Sequence, residues 1–410
     1  MSDRRRPKWI APVIALVVVL GVAGYVTATQ LGTAPAATAA VTAPGIPKPA
    51  AYAYAAPSKG ESQLDVAGSA YAGANGTLGT SGGTAAVPIA SISKLITALV
   101  ILDKRPLAST SDEGPTLTFS KVDSDLYDKY YVQGASVEPM KTNSSMSEQD
   151  ALKTMLVASA CNYADAVSTW AYGSQGAFLS ATKAWLTAHS LSGTTMVEPT
   201  GLDDRNTSTP ADLVAIGKLA LANPVIAAIV ALPHAQVANI GLLENTNELL
   251  GTDGVNGIKT GTLDAGSDLL FSSSLKIDGS TTLSVIGVIL EGSTRETVDA
   301  DAKQMLASVT VAYRSVRVVT SGASFGKITT SWGQSASVVA QQSASLTAWS
   351  NAAVKSSVAL RRFDSAVDGD VVGTATYTIG AKKVSVPLIL KGSITPPDWF
   401  WKLTHPAAVL

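Results

Sequence analysis

The sequence predicts an α/β domain, in which helices flank an antiparallel sheet, followed by a small all-β domain. Three observations carry this. Apolar residues recur at helical spacing through four segments between residues 91 and 232. From 254 to 292 the period drops to two over three successive runs, and an amphipathic helix follows. After Val316 the composition shifts to Ser, Thr, Val and Gly in short alternating runs such as "GKITTSWG" and "KKVSVPLIL".

The chain opens on a basic stretch, "MSDRRRPKW", and then runs from 10 to 26 without a charge, "IAPVIALVVVLGVAGYV". Seventeen such residues are short for a bilayer span and long for a signal-peptide core. The basic flank places the N-terminus in the cytoplasm and the remainder outside. Residues 1–28 are therefore read as a membrane anchor or a signal peptide, with Val26-Thr27-Ala28 available for cleavage. No cysteine follows the apolar run, which excludes a lipoprotein anchor. Residues 29–58 are almost all Ala, Pro, Thr and Gly and show no period, so they predict a flexible tether.

The main domain is expected over 59–316. "SQLDVAGSAYAG" and "GTLGTSGGTAAVPI" read as short strands joined by glycine-rich turns. A helix begins near Ser91 and is apolar on most sides, which makes it central. Residues 144–173 carry a capping signature, Ser147 with Asp150, and read as one or two helices broken near Ser159. Two further helical segments follow, the second opened by Thr209-Pro210. The strands "GVNGIKTGTL", "SDLLFSSSLKI" and "TTLSVIGVILEG" come next, the last two turned at Asp278-Gly279. The all-β domain is placed at 317–392. The tail 393–410, with "PPDWFWKLTHP", either touches membrane or packs on the β domain.

Composition narrows the chemistry. The net charge is −1 with no basic excess, which argues against nucleic acid as a partner. One cysteine, Cys161, excludes an internal disulfide and a multi-cysteine zinc site. His189, His234 and His405 lie far apart and show no metal-ligand spacing. No metal and no cofactor are expected, and any catalysis must proceed without histidine.

Ser-x-x-Lys occurs four times, beginning at Ser91, Ser180, Ser273 and Ser324. A serine hydroxyl is a weak nucleophile until a base takes its proton, and a neutral lysine amine can do so. Only Lys94 is carried into an apolar helix, where desolvation favours the neutral amine. Taken alone, Ser91 could equally be the start of an ordinary helix. Ser324 also fits G-x-S-x-G, as "GASFG", but the β-like runs after it do not supply the helix a nucleophile elbow requires. The stretch "GIKTGTL" offers a positive charge at Lys259 and a hydroxyl at Thr260 to an anionic group. Gly261 clears space for a substrate backbone against the strand. "VASACNYADAV" places a polar Ser-Ala-Cys-Asn break in an apolar pattern, and such a cluster needs partners.

Ser-x-x-Lys, a Ser-x-Asn-like element and Lys-Thr-Gly, in that order, form the triplet of β-lactamases and penicillin-binding proteins. With "PIASISKLITAL", "LKTMLVASACNYAD", "VEPTGLDDRNTSTPADLVAIGKLA" and "NTNELLGTDGVNGIKTG", the chain resembles the low-molecular-mass penicillin-binding proteins, the D-alanyl-D-alanine carboxypeptidase family, in particular its actinobacterial members. The resemblance covers roughly 59–316 and implies the penicillin-binding/serine β-lactamase-like fold. It implies that Ser91 is acylated by peptidoglycan stem peptides ending in D-Ala-D-Ala, and by β-lactam antibiotics as covalent inhibitors. Lys94 would be the base and Ser159 a proton relay. Lys259 and Thr260 would hold the substrate carboxylate, and the backbone N–H groups of Ser91 and Thr262 would form the oxyanion hole. The chain departs at the second element: Ser159-Ala160-Cys161 puts cysteine where the family has asparagine, and Asn162 falls one place late. Cys161 and Asn162 are carried as substrate contacts on that footing. Two rivals share the fold: a serine β-lactamase with Glu198 as deacylating base, and a wall-binding scaffold that has lost turnover.

Overall fold

The computed structural model describes residues 10–46, 52–66, 76–277, 282–349, 352–380 and 382–410. Its contacts divide into one unit over Ala51–Arg314 and a second that joins Met1–Ala50 with Ser315–Leu410. The Asp278-Gly279 turn and the basic start of the chain lie outside the described residues.

The first unit holds a five-stranded sheet in the order Val255–Leu263, Gly266–Lys276, Thr282–Gly292, Glu61–Val66, Thr77–Ser81. Every neighbour is antiparallel. Strand Val255–Leu263, which carries the Lys-Thr-Gly residues, is an edge strand. Behind it the helix Ser93–Lys104 is buried from Ser93 through Leu102, the central position its apolar circumference predicts. Ser147 Oγ accepts from Asp150 N and starts the helix Glu148–Val157. A break follows, and Cys161–Tyr172 begins a second helix that Gly173 ends in the left-handed conformation.

The apolar run after Thr209 forms two helices, Pro210–Ala222 and Pro224–Val230, bent by 104°. Asn223 caps the second by accepting from Val225 N and Ile226 N. Pro224 has no N–H and clashes with a continuing helix, so the turn falls there.

The second unit is built on a six-stranded sheet: Thr38–Val41, Ser324–Thr329, Ser335–Ala340, Lys382–Lys391, Val371–Ile379, Lys355–Leu360. Its core includes Phe325, Val338, Val372, Tyr377 and Leu388. Within the tether expected over 29–58, Thr38–Val41 forms a strand. It pairs with Ser324–Thr329, Thr38 opposite Thr329 and Val41 opposite Gly326. None of its residues is buried, so it carries no alternation of polarity to betray it. Before it lies the helix Ile10–Leu31, which has a mean hydropathy of 2.2 and is exposed over residues 11–28. The aromatic tail forms the helix Trp399–Thr404, and Trp401 meets Trp332 edge-on at 5.8 Å.

Candidate active site

Ser91 sits in the 3₁₀ turn Ala90–Ile92 that leads into the helix Ser93–Lys104. Its hydroxyl does not cap that helix. The N-cap residue is Ile92, which makes no side-chain cap bond. Instead Ser91 Oγ lies 2.8 Å from Lys94 Nζ. Lys94 is fully buried and its amine also donates to Thr200 O at 2.7 Å. That carbonyl takes up one N–H and directs the amine at Ser91.

The turn that supplies Thr200 O is itself held from inside. Glu198 accepts from Thr200 N at 2.6 Å and Gly201 N at 2.5 Å. Asn206 Nδ2 donates to Glu198 Oε1 at 3.0 Å and to Ser93 Oγ at 3.1 Å, while its Oδ1 accepts from Val197 N. Thr97 Oγ1 adds a bond to Pro199 O. Glu198 therefore spends its carboxylate on the backbone that orients the Lys94 amine.

The other three Ser-x-x-Lys pairs have different settings. Ser180 is bonded to Gly176 O on an exposed helix face, Ser273 to Asp253 O, and Ser324 is exposed at the start of its strand.

On the edge strand Lys259 is 1% exposed, and its amine donates to Thr260 O at 3.2 Å and Thr246 Oγ1 at 3.5 Å. Burial, then the charges of Lys94 and Arg295, hold Lys259 well below the ordinary lysine range, with Cys161 pulling the other way. Thr260 Oγ1 lies 2.7 Å from Thr246 Oγ1. Thr262 is exposed and its hydroxyl accepts from Arg295 at 3.3 Å, while the other arm of that guanidinium donates to Thr246 O. Gly261 has a tighter role than the sequence indicated. A Cβ there would meet Ala90 Cβ at 2.8 Å and Ile89 O at 3.2 Å. The missing side chain makes room for the nucleophile turn itself.

Ser159 is 3% exposed and sits at the break between two helices with φ +60°. A non-glycine residue in that region is strained and stays there only when its surroundings hold it. Cys161 is the first residue of the next helix, buried, with its N–H bonded to Ser136 O. Asn162, expected as a substrate contact, is bonded to backbone. Its Oδ1 accepts from Glu138 N and its Nδ2 donates to Glu138 O, so both ends of the amide pin the 136–138 loop. One residue turns a helical side chain by about 100°, which separates Asn162 from the direction Cys161 takes.

Arg295, Thr246, Asn206 and Asp268 are parts of the site that motif reasoning missed. Arg295 left a trace: a cation in the first turn of the helix Arg295–Ala312 opposes the helix dipole and costs stability. Asp268 lies across from Gly261 on the neighbouring strand and accepts from Glu291 N at 2.9 Å. Burial pushes its carboxyl up to about 7.

Comparisons with known proteins give the family and the fold. The family model for D-alanyl-D-alanine carboxypeptidases matches residues 76–294, more than half of the chain. The chain belongs to that family. It is 34% identical over 166 residues to a D-alanyl-D-alanine endopeptidase of Escherichia coli, covering 40% of this chain and 45% of the relative. A D-alanyl-D-alanine endopeptidase of Pseudomonas aeruginosa is 31% identical over 204 residues, 46% of this chain and 60% of the relative. The match thus spans about half the length of these relatives. Among solved structures, a peptidoglycan synthesis regulatory factor from Streptococcus pneumoniae gives a TM-score of 0.56 at 21% identity, over 83% of this chain and 100% of that one. Penicillin binding protein 5 from Haemophilus influenzae gives 0.55 at 19% identity, over 87% and 100%. These likenesses show the fold, that of penicillin-binding proteins.

Proposed function

We propose that the protein is a serine-type D-Ala-D-Ala carboxypeptidase that trims peptidoglycan stem peptides. The observation that carries the reading is the 2.8 Å approach of Ser91 Oγ to a fully buried lysine amine, beside a strand carrying a second buried amine. Lys94 takes the Ser91 proton as Oγ adds to the carbonyl between the two D-alanines. The N–H groups of Ser91 and Thr262 donate to the oxyanion that forms, a large term in acyl transfer. When the C–N bond breaks, Ser159 relays the proton from Lys94 to the leaving amine, and terminal D-alanine departs. Water then hydrolyses the ester and restores Ser91. An acceptor amine in place of water would give transpeptidation from the same acyl-enzyme.

Lys259, Thr260 and Arg295 anchor the free carboxylate of the terminal D-alanine. Its charge offsets the cost of protonating Lys259 in a buried site. Penicillin carries a comparable carboxylate and an acylating amide, so it labels Ser91 covalently. Catalysis takes place outside the cell, with the helix Ile10–Leu31 as the single membrane anchor. The β-lactamase alternative is disfavoured by Glu198, whose carboxylate is engaged with the backbone of its own turn.

Fluorescent penicillin followed by peptide mapping tests this reading. Label is expected on Ser91, and Ser91→Ala should abolish it. Label on Ser180, Ser273 or Ser324 would overturn the assignment. Labelling of Ser91 without any D-alanine release would instead favour a scaffold that has lost turnover.

A further inference from the structure

The last two turns of the apolar helix Ile10–Leu31 are held by the other end of the chain. Tyr25 Oη donates to Leu403 O at 2.7 Å and Gln30 Nε2 donates to Trp399 O at 3.0 Å. Lys402 Nζ donates to Gln30 O at 3.0 Å and Gly32 O at 3.1 Å. A helix C-terminus leaves carbonyls unpaired and carries partial negative charge, and Lys402 answers both needs. Thr29 is fully buried. Gly32 is so close to the chain's end that a Cβ there would overlap Val409 O. Val26-Thr27-Ala28 lies inside these clamped turns, in unbroken helix. Removing 1–28 would strip Leu403 O of its partner and leave Lys402 over a frayed stub.

The clamp leaves two large aromatic side chains uncovered. Trp399 is 66% exposed and Phe400 59%, next to a helix whose apolar surface is itself unburied. Twenty-two helical residues measure about 33 Å. The hydrocarbon layer of a bilayer is about 30 Å thick, so a span that begins near Ile10 leaves it close to Gln30. The Trp399–Thr404 helix is bonded at that level. Tryptophan rings favour the boundary between acyl chains and headgroups, and a lysine there keeps its ammonium at the polar side.

We propose that the N-terminal helix is kept in the mature protein and that the Trp399–Thr404 helix forms a collar around its outer end, with Trp399 and Phe400 seated in the bilayer interface. The occupant of this exposed aromatic surface is the phospholipid of the same membrane. The inference rests on reading Ile10–Leu31 as a membrane span. It adds that the second unit lies on the membrane surface rather than hanging from a free tether.

The full-length chain, expressed in cells and reconstituted in phosphatidylglycerol/phosphatidylethanolamine vesicles, tests it. Acyl chains brominated near the headgroup or near the tail serve as quenchers. Subtracting Trp399→Phe from the unaltered protein isolates Trp399 from the other tryptophans. The expected results are an intact mass that includes residues 1–28 and a Trp399 signal quenched more by shallow than by deep bromine. A membrane fraction that holds only chains beginning after residue 28, or none at all, would sink the span and the collar together. An intact, membrane-resident chain whose Trp399 is untouched by either quencher would leave the span standing and overturn the collar. Stronger quenching by deep bromine would also overturn it, since the helix would then be inserted rather than interfacial.

Discussion

Gly201→Ala perturbs the catalytic pair without touching either member. Gly201 has φ +84°, and a methyl there would lie 1.8 Å from Ala90 O and 2.4 Å from Ala90 C. An ordinary carbon–oxygen contact needs about 3.3 Å or more, so one backbone must retreat by over ~1 Å. An L side chain at this φ costs about 1–2 kcal/mol, and the overpacking adds about 1–3 kcal/mol. The melting temperature should drop by roughly 2–4 °C for each kcal/mol lost. The chemical effect is larger, because both sides of the clash carry the site. Ala90 precedes the nucleophile, and Thr200, adjacent to Gly201, supplies the carbonyl bonded to Lys94. A displacement of about 1 Å costs on the order of 100-fold in rate. The assay is the second-order rate of acylation by fluorescent penicillin, read below the melting transition, together with D-alanine release. Gly173→Ala is the control: it has φ +81° but open space where the methyl would go, so it should lose stability and keep acylation. A folded Gly201→Ala variant that acylates at the unaltered rate would refute the close-packed turn as the source of the geometry.

Four further outcomes are expected. Glu198→Gln should slow acylation about 10- to 100-fold, the equivalent of about 1.5–3 kcal/mol for bonds to a charged group, while leaving acyl-enzyme hydrolysis alone; selective loss of hydrolysis would instead indicate a β-lactamase base. Lys259→Met should raise stability by about 1–3 kcal/mol, as loss of a buried polar centre often does, yet impair substrates with a free carboxylate far more than their esters. Below about 10.4 the unfolded chain binds a proton at Lys259 that the folded chain resists, so the unaltered protein gains stability as pH rises toward that value, and melts of the variant should lose this gain. Asp268 has the opposite sign. Its carboxyl is held near 7 rather than 3.8, so the folded state keeps a proton the unfolded chain releases, and stability falls by up to about 4 kcal/mol as pH rises from about 4 to about 7; Asp268→Asn should flatten that part of the denaturation profile. Cys161→Asn should keep or raise D-alanine release and Cys161→Ala should change it little, whereas a severe loss in Cys161→Asn would mean the site is shaped around the thiol.

What could be read from the sequence was local. Ser91 and Lys94 are three residues apart on one apolar segment, and Lys259, Thr260 and Gly261 are consecutive, so spacing alone placed them. The capping signature at Ser147 and the αβ order of the main domain were legible for the same reason. Contacts made across long separations were not. Asn206 reaches Ser93 with nothing in its local window to announce it, and Arg295, marked locally only by its place in a helix's first turn, reaches Thr246 and Thr262. The edge strand Thr38–Val41 was missed because its side chains are exposed on both faces. The bonds of the Asn162 amide to the Glu138 backbone span 24 residues and could not be read from the motif.

The reactive geometry is held by close backbone approach as well as by the Glu198–Asn206 network. Ala90, immediately before the nucleophile, adopts φ +45°. On one side its carbonyl leaves no space for a Cβ at Gly201, and on the other its methyl leaves none at Gly261. The nucleophile turn is thus wedged between the 198–206 turn and the edge strand, which is what keeps a strained residue from relaxing. Such a wedge fixes three things at once: the Ser91 hydroxyl, the N–H groups of Ser91 and Thr262, and the carbonyl that aims Lys94. Side chains with rotamer freedom would each need separate restraint to reach the same precision. The cost is brittleness, since a single methyl at Gly201 or Gly261 disturbs all three together, while Cys161, outside the wedge, can vary. The Ser91–Lys94 pair is therefore held independently of which side chain stands at 161.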